Sequence, residues 1–165
     1  MKKLIFILAL SLTTIGTYAF TGVERTDDVK KVSDYAIKQF KQDFASAKDV
    51  SWKLTRDYIK ANFSLDGKKM AALYDLQGTY LGAVEYLSYE QVPVRARTQI
   101  EKQYKNYYFS SGLKVVSRPY GSDFNDVGTY WVNLSSTIKE LFISVSPSSE
   151  IALHKSTLKE TTAKN

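Results

Sequence analysis

The chain has 165 residues, of which 44% are hydrophobic, 13% aromatic and 24% charged, with a formal net charge of +6. This balance is typical of one globular domain and excludes a disordered or fibrous chain. The absence of cysteine excludes disulfides, thiolate metal sites and cysteine nucleophiles. A single histidine, His154, argues against histidine metal centres and a Ser-His-Asp triad.

The first segment has the pattern of a cleaved export signal. Two lysines precede an apolar run over 4–12, and Thr17 and Ala19 place small residues before a cut at Phe20. The run is too short for a membrane anchor, which needs about 20 apolar residues. Cleavage removes two lysines and no acids, so the net charge falls from +6 to +4. We therefore expect 1–19 to be a signal peptide, with export to the periplasm or beyond and no stable membrane insertion afterwards.

The next segment changes from a helical period to a strand period. Apolar residues at helical spacing, from Val29 to Ala47, predict a helix at about 27–46. Alternation then predicts a four-stranded antiparallel meander, with Asp66-Gly67 as a tight hairpin turn because both turn positions need positive φ. Its strands are expected at 50–54, 59–65, 70–76 and 80–87.

The pattern then restarts with a second helix and further strands. Pro93 is suited to a helix start, and strand-like stretches follow at 113–117, 129–135, 138–146 and 150–153. Ile59, Ala61 and Phe63 align with Tyr130, Val132 and Leu134 at a constant shift of 71.

These two patterns together predict an α+β fold of two tandem helix-plus-antiparallel-strand units with the helices on one face of the sheet. The units are expected at about 27–88 and 89–155, within one domain at 20–155. The polar end at 156–165 is expected to be a loose tail.

The sequence resembles the PepSY-like, or β-lactamase-inhibitor-protein-like, proteins assigned to the periplasm of Bacteroidetes. The resemblance covers about 33–155 and is carried by four motifs: Phe44–Trp52, Tyr58–Phe63 followed by Asp66-Gly67, Ala72–Asp75 with Gly78, and Val92-Pro93. The second half departs from the pattern, with Val116 in place of the tryptophan and Ser146-Pro147 in place of Tyr-Asp. The resemblance implies helices on one side of an antiparallel sheet and an open opposite side, as in secreted inhibitors that grip an enzyme. The family is largely uncharacterised, so the resemblance supplies no catalytic residues to carry over.

Enzyme signatures are missing from the sequence. There is no glycine-rich phosphate loop after a strand, no G-x-S-x-G and no H-E-x-x-H. The segment 123–128 has the start of a calcium loop but Val127 and Leu134 where ligands are required, so it is interpreted as a polar turn. The cluster at 95–105 is interrupted by Glu101, which is typical of a solvated helix face and argues against nucleic-acid binding. We expect no enzyme activity, no catalytic residue, no cofactor and no metal.

Aromatic residues are the unusual feature. If Ile59, Ala61 and Phe63 face the helices, then Tyr58 points to the opposite face. Tyr and Trp are enriched at protein interfaces because they offer large rigid contact areas with a polar tip. The candidate binding residues on that face are Tyr58, Lys60, Tyr74, Tyr80, Tyr86, Trp131 and Phe142. The alternative is that cross-strand aromatic pairs only stabilise the sheet.

The sequence thus favours an exported, non-enzymatic protein that engages a protein or peptide of the cell envelope through an open aromatic sheet face. A narrower version of this hypothesis is inhibition of an envelope hydrolase. The alternative class is a small-ligand carrier or a stress-related envelope scaffold without a protein target. A pocket between the halves would favour the carrier, and an exposed aromatic sheet would favour the binding protein.

Overall fold

The computed structural model describes residues 32–159. The predicted signal peptide and the residues after 159 lie outside this range. The described residues form two α-helices, eight strands and one short 3₁₀ helix (Tyr89–Gln91). The α-helices and strands follow one another as α1 (Asp34–Asp43), β1 (Lys48–Leu54), β2 (Ile59–Leu65), β3 (Lys68–Tyr74), β4 (Tyr80–Leu87), α2 (Val94–Gln103), β5 (Tyr108–Ser117), β6 (Tyr130–Ser135), β7 (Lys139–Val145) and β8 (Ile151–Leu158).

The eight strands form one sheet in which each strand pairs antiparallel with the next along the chain. The predicted α+β class and the antiparallel meander are confirmed. That the two parts repeat one unit stays a prediction.

Several element boundaries differ from those predicted. Helix α1 begins at Asp34, after a non-helical Ser33, and not near residue 27. Strand β5 begins earlier than expected, and β8 continues to Leu158, so the first residues of the predicted loose tail are strand. Pairing with β7 through Lys139 and Leu158 orders a segment whose sequence has no apolar period.

Both helices cover the same face of the sheet. Helix α1 packs Ala36 and Phe40 onto a core that includes Ile59, Ala61 and Phe63. Helix α2 packs its own apolar stripe onto a second core over β6 and β7, made of Val92, Ala96, Ile100, Val132, Leu134, Leu141, Ile143 and Val145.

A single row of directly paired residues joins the two cores. It runs Met70, Glu85, Lys114, Tyr130, Val145 across β3 to β7. Direct partners share a face, so both cores lie on one side of the sheet.

The strand residues that alternate with this row form the other face of the sheet, which no described helix covers. Its centre is a small apolar cluster of Ala71, Val84 and Leu113, against which Tyr86 and Trp131 pack. We call the two sides the helix face and the open face.

Among the described residues, no helix has the length and apolar character that crossing a bilayer requires.

Candidate functional site

The open face carries a band of rings that crosses the sheet. Tyr86, Leu113, Trp131 and Ser144 are successive direct partners on β4 to β7, so their side chains stand in one line. On the β7 side, the Trp131 ring stacks on Phe142 with centroids 5.1 Å apart and planes at 13°.

His154 completes this end of the band. Its ring centroid lies 4.7 Å from that of Trp131, and its Nε2 is 2.8 Å from Ser144 Oγ. His154 is not among the site residues predicted from the sequence, because a lone histidine near the chain end carries no motif. Only the β7–β8 register would have indicated this role, because it places His154 near Phe142 and Ser144.

The other end of the band is formed by Tyr58 and Tyr86. The Tyr86 hydroxyl donates to Asn62 Oδ1 at 3.2 Å, which ties β4 to β2 across the intervening strand. Burial raises the pKa of the Tyr86 hydroxyl, and Tyr58 acts in the same direction, so the two phenols are neighbours. Burial and Asp57 likewise raise the pKa of Tyr58. We call Tyr58, Tyr86, Trp131, Phe142 and His154 the aromatic row.

Lysines surround the aromatic row. Lys60 pairs directly with Lys53 on the edge strand, and Lys155 pairs with Phe142 on the opposite edge. Lys69 lies on the same face, and Glu140 is the acidic strand residue there. The strands therefore present a basic rim around partly buried rings.

Two predicted members of the binding face lie on the other side of the sheet. Tyr74 is 0% exposed and Tyr80 is partly buried, and both belong to the core beneath α1. The prediction that Tyr74 lies on the open face was wrong, because the turn between β2 and β3 fixes which residues of the two strands share a face. The two-residue turn pairs Leu65 with Lys68 and hence Ile59 with Tyr74, so Tyr74 shares the face of Ile59.

A bulge explains the placement of Tyr80. Alternation back from Tyr86 would put Tyr80 on the open face, but the register shifts between Leu73 and Tyr74, so Tyr74 pairs with Tyr80. Gly82, with φ of 143°, lies next to this extra residue. Tyr58, Lys60, Tyr86, Trp131 and Phe142 lie on the open face, so the structure brings five of the seven predicted residues to one side.

The Ser144–His154 pair has no carboxylate partner among the described residues. A serine nucleophile needs a base that is oriented by a third group and a set of oxyanion donors. His154 is exposed and Ser144 is half-buried, and no carboxylate among the described residues orients the imidazole as a base. The bond instead holds the imidazole against Trp131.

The described residues also contain no cluster of three or more His, Cys, Asp or Glu side chains arranged to hold a metal. In the segment 123–128, which begins like a calcium loop, Asp126 accepts two hydrogen bonds from Arg118, at 2.8 and 2.6 Å. The Asp126 carboxylate is therefore paired with the Arg118 guanidinium.

Solved structures with the same fold come from Bacteroides. A BLIP-like protein from Bacteroides fragilis superposes with a TM-score of 0.63 at 16% identity, covering 80% of this chain and 91% of that one. A DUF2874 family protein from Bacteroides uniformis gives a TM-score of 0.60 at 16% identity, covering 76% and 88%. A candidate periplasmic protein from Bacteroides eggerthii gives 0.61 at 11% identity, covering 77% and 88%.

No protein-family model matches the sequence. No curated protein matches it either. At these identities the likeness shows the fold alone. The chain has the fold of the BLIP-like and DUF2874 proteins of Bacteroides, which confirms the resemblance predicted from its motifs.

Proposed function

We propose that this chain is an exported, non-enzymatic binding protein whose open sheet face engages a protein or peptide of the cell envelope. The observation that carries the proposal is the aromatic row, which lies on the one face of the sheet that no described helix covers. Rings of this kind act as anchors in protein interfaces because they bury a large area at low entropic cost.

The surroundings of the row specify the partner further. Lys53, Lys60, Lys69 and Lys155 place positive charge on this face, where Glu140 is an acidic strand residue and Asp57 lies near Tyr58. Such a rim steers association toward acidic surfaces and adds specificity more than affinity. An acidic protein or peptide segment is therefore the favoured partner.

Comparison with solved structures supports the cell-envelope location in this proposal. One neighbour is named BLIP-like and another is named as a candidate periplasmic protein. Inhibition of an envelope hydrolase, with the rings filling the cleft of the enzyme, is the narrower form of the same proposal.

A mutational series on the mature protein tests the proposal. The partner is captured from the envelope fraction of the source cell, and its affinity is measured for wild type and for Tyr86→Ala and Trp131→Ala. Each substitution is expected to weaken binding by on the order of 2 kcal/mol, or about 30-fold. Tyr35→Ala, at a 61% exposed tyrosine on α1, is the matched control and should change nothing.

The same series separates binding from sheet stabilisation. Tyr86 and Trp131 pack on the apolar centre of the open face, so their loss also lowers the free energy of unfolding. Affinity that survives both substitutions in a folded protein would show that the rings only stabilise the sheet. Loss of affinity in variants that remain folded supports the interface.

A further inference from the structure

A cleft lies on the helix face, apart from the aromatic row. It opens between α1, the start of β4 and the segment that follows β5, and its volume is about 490 Å³. This is within the range of small-ligand sites. Its walls come from both halves of the chain, including Tyr35, Gln39, Asp43, Phe44, Tyr80 and Tyr120.

The polar groups of the cleft leave one acceptor unused. Tyr80 Oη and Ser117 Oγ are 2.5 Å apart and satisfy each other. The Gln39 side-chain oxygen is buried and has no hydrogen-bond partner among the described residues. A rotation of the Gln39 side chain toward the cleft would let a ligand N–H satisfy this acceptor.

The charges of the cleft favour a cation. The Arg118 guanidinium forms an ion pair with Asp126, with the closest approach 2.6 Å, and donates to the Leu81 carbonyl, while its charge acts to lower the pKa of Tyr80. Asp43 forms no ion pair with any residue that the structure describes. Asp43 is exposed, and its carboxylate helps to raise the pKa values of Tyr74 and Tyr80, so it adds negative potential to the cleft wall that Tyr80 forms.

The apolar wall is aromatic. Phe44 and Tyr80 lie with their ring centroids 6.3 Å apart, while Tyr35 and Tyr120 stand exposed at the rim. Aromatic faces attract ammonium groups and also contact the apolar body of a ligand. A carboxylate, a spare acceptor and several rings are together complementary to an organic ammonium.

We infer that this cleft binds a small organic primary amine, with Asp43 and Gln39 holding its ammonium group and the rings of Tyr35, Phe44, Tyr80 and Tyr120 its apolar body. This is a second site on the opposite side of the sheet from the aromatic row. It takes up the small-ligand class of function that the sequence left open, and it stands independently of protein binding at the open face.

The test uses three probes that share one skeleton: phenethylamine, the neutral 2-phenylethanol and the anionic phenylacetate. Each is titrated into the ¹⁵N-labelled mature chain and followed by NMR. Phenethylamine is expected to shift the Gln39 side-chain amide and the backbone amides of Tyr80 and Ser117, with a Kd of about 1 mM. Phenylethanol and phenylacetate should bind at least about threefold more weakly.

Substitutions on α1 locate the ammonium. Asp43→Asn should weaken phenethylamine binding by about threefold or more, whereas Asp34→Asn, an exposed carboxylate at the other end of the helix, should leave it unchanged. Equal losses in both variants, tighter binding of phenylacetate, or no shift at the lining residues would each overturn the inference. None of these outcomes bears on the aromatic row, because the two sites lie on opposite faces.

Discussion

Tyr74 is a fully buried phenol whose hydroxyl has no hydrogen-bond partner among the described residues. Its ring packs between Trp52 and Tyr80, with centroids 5.9 and 5.6 Å away. Burial raises the pKa of Tyr74 far above its usual range, and Tyr80 and Asp43 act in the same direction. The Tyr74 ring thus packs in the core, while its hydroxyl adds no hydrogen bond that stabilises the fold.

We expect Tyr74→Phe to leave the free energy of unfolding at neutral pH unchanged or slightly higher, because it removes an unsatisfied buried hydroxyl. At high pH the unfolded chain ionises near pH 10 while native Tyr74 keeps its proton, so stability must fall as pH rises above about 10. Tyr74→Phe should make that fall shallower. Urea denaturation between pH 7 and 11 measures both effects, and a loss above about 1 kcal/mol at pH 7 would contradict this account.

Phe63 is the matching test of the core beneath α1. It is 3% exposed and contacts Phe40 and Phe44 at centroid distances of 5.1 and 4.8 Å. Phe63→Ala should lower the free energy of unfolding by roughly 3–5 kcal/mol, as for a buried phenylalanine. Tyr120→Ala, at a fully exposed position, should change it by less than about 0.5 kcal/mol.

At the scale of elements, turns decide which side chains reach which face. Periodicity correctly placed Ile59, Ala61 and Phe63 under the helices, because apolar alternation records burial directly. The position of Tyr74 also followed from the sequence, since a two-residue turn at Asp66-Gly67 fixes the register. The bulge that places Tyr80 could not be predicted, because it depends on tertiary contacts and leaves no periodic trace.

The glycines at two turns provide a matched pair of substitutions. Gly67 and Gly78 both have positive φ, at 75° and 95°, but only Gly78 has close neighbours. A Cβ at Gly78 would lie 2.7 Å from Ser33 Oγ and 2.9 Å from the Ala36 nitrogen at the start of α1. Gly67→Ala should therefore cost only its backbone strain, about 1–2 kcal/mol, and Gly78→Ala clearly more. Thermal unfolding compares them, and equal losses would show that the turn does not position α1.

For the whole molecule, the sequence predicted the sheet and its helix-covered side but not the cleft. The cleft joins Gln39 and Asp43 of α1 to Ser117 and Arg118 after β5, and no local pattern connects such distant positions. The open face was predictable in outline, because an amphipathic sheet with two helices of limited length leaves one side uncovered. Which side chains lie on the open face could be assigned only from the strand registers.

Export is a prediction about the whole chain. Thr17 and Ala19 satisfy the small-residue rule for signal cleavage, so the mature N-terminus is expected at Phe20 or within a residue or two of it. Intact-mass spectrometry of the protein from the envelope fraction of the source cell measures this directly. Recovery of the chain with Met1 in place would remove the export claim.

Hydroxyl-radical footprinting of the mature protein, free and bound to its captured partner, shows which face of the sheet the partner covers. It reports the solvent accessibility of individual aromatic and histidine side chains on both faces in one experiment. We expect Trp131, Phe142 and His154 to be protected in the complex, while Tyr35 and Tyr120 on the helix face stay as reactive as in the free protein. Protection of Tyr35 and Tyr120 with an unchanged aromatic row would contradict this expectation.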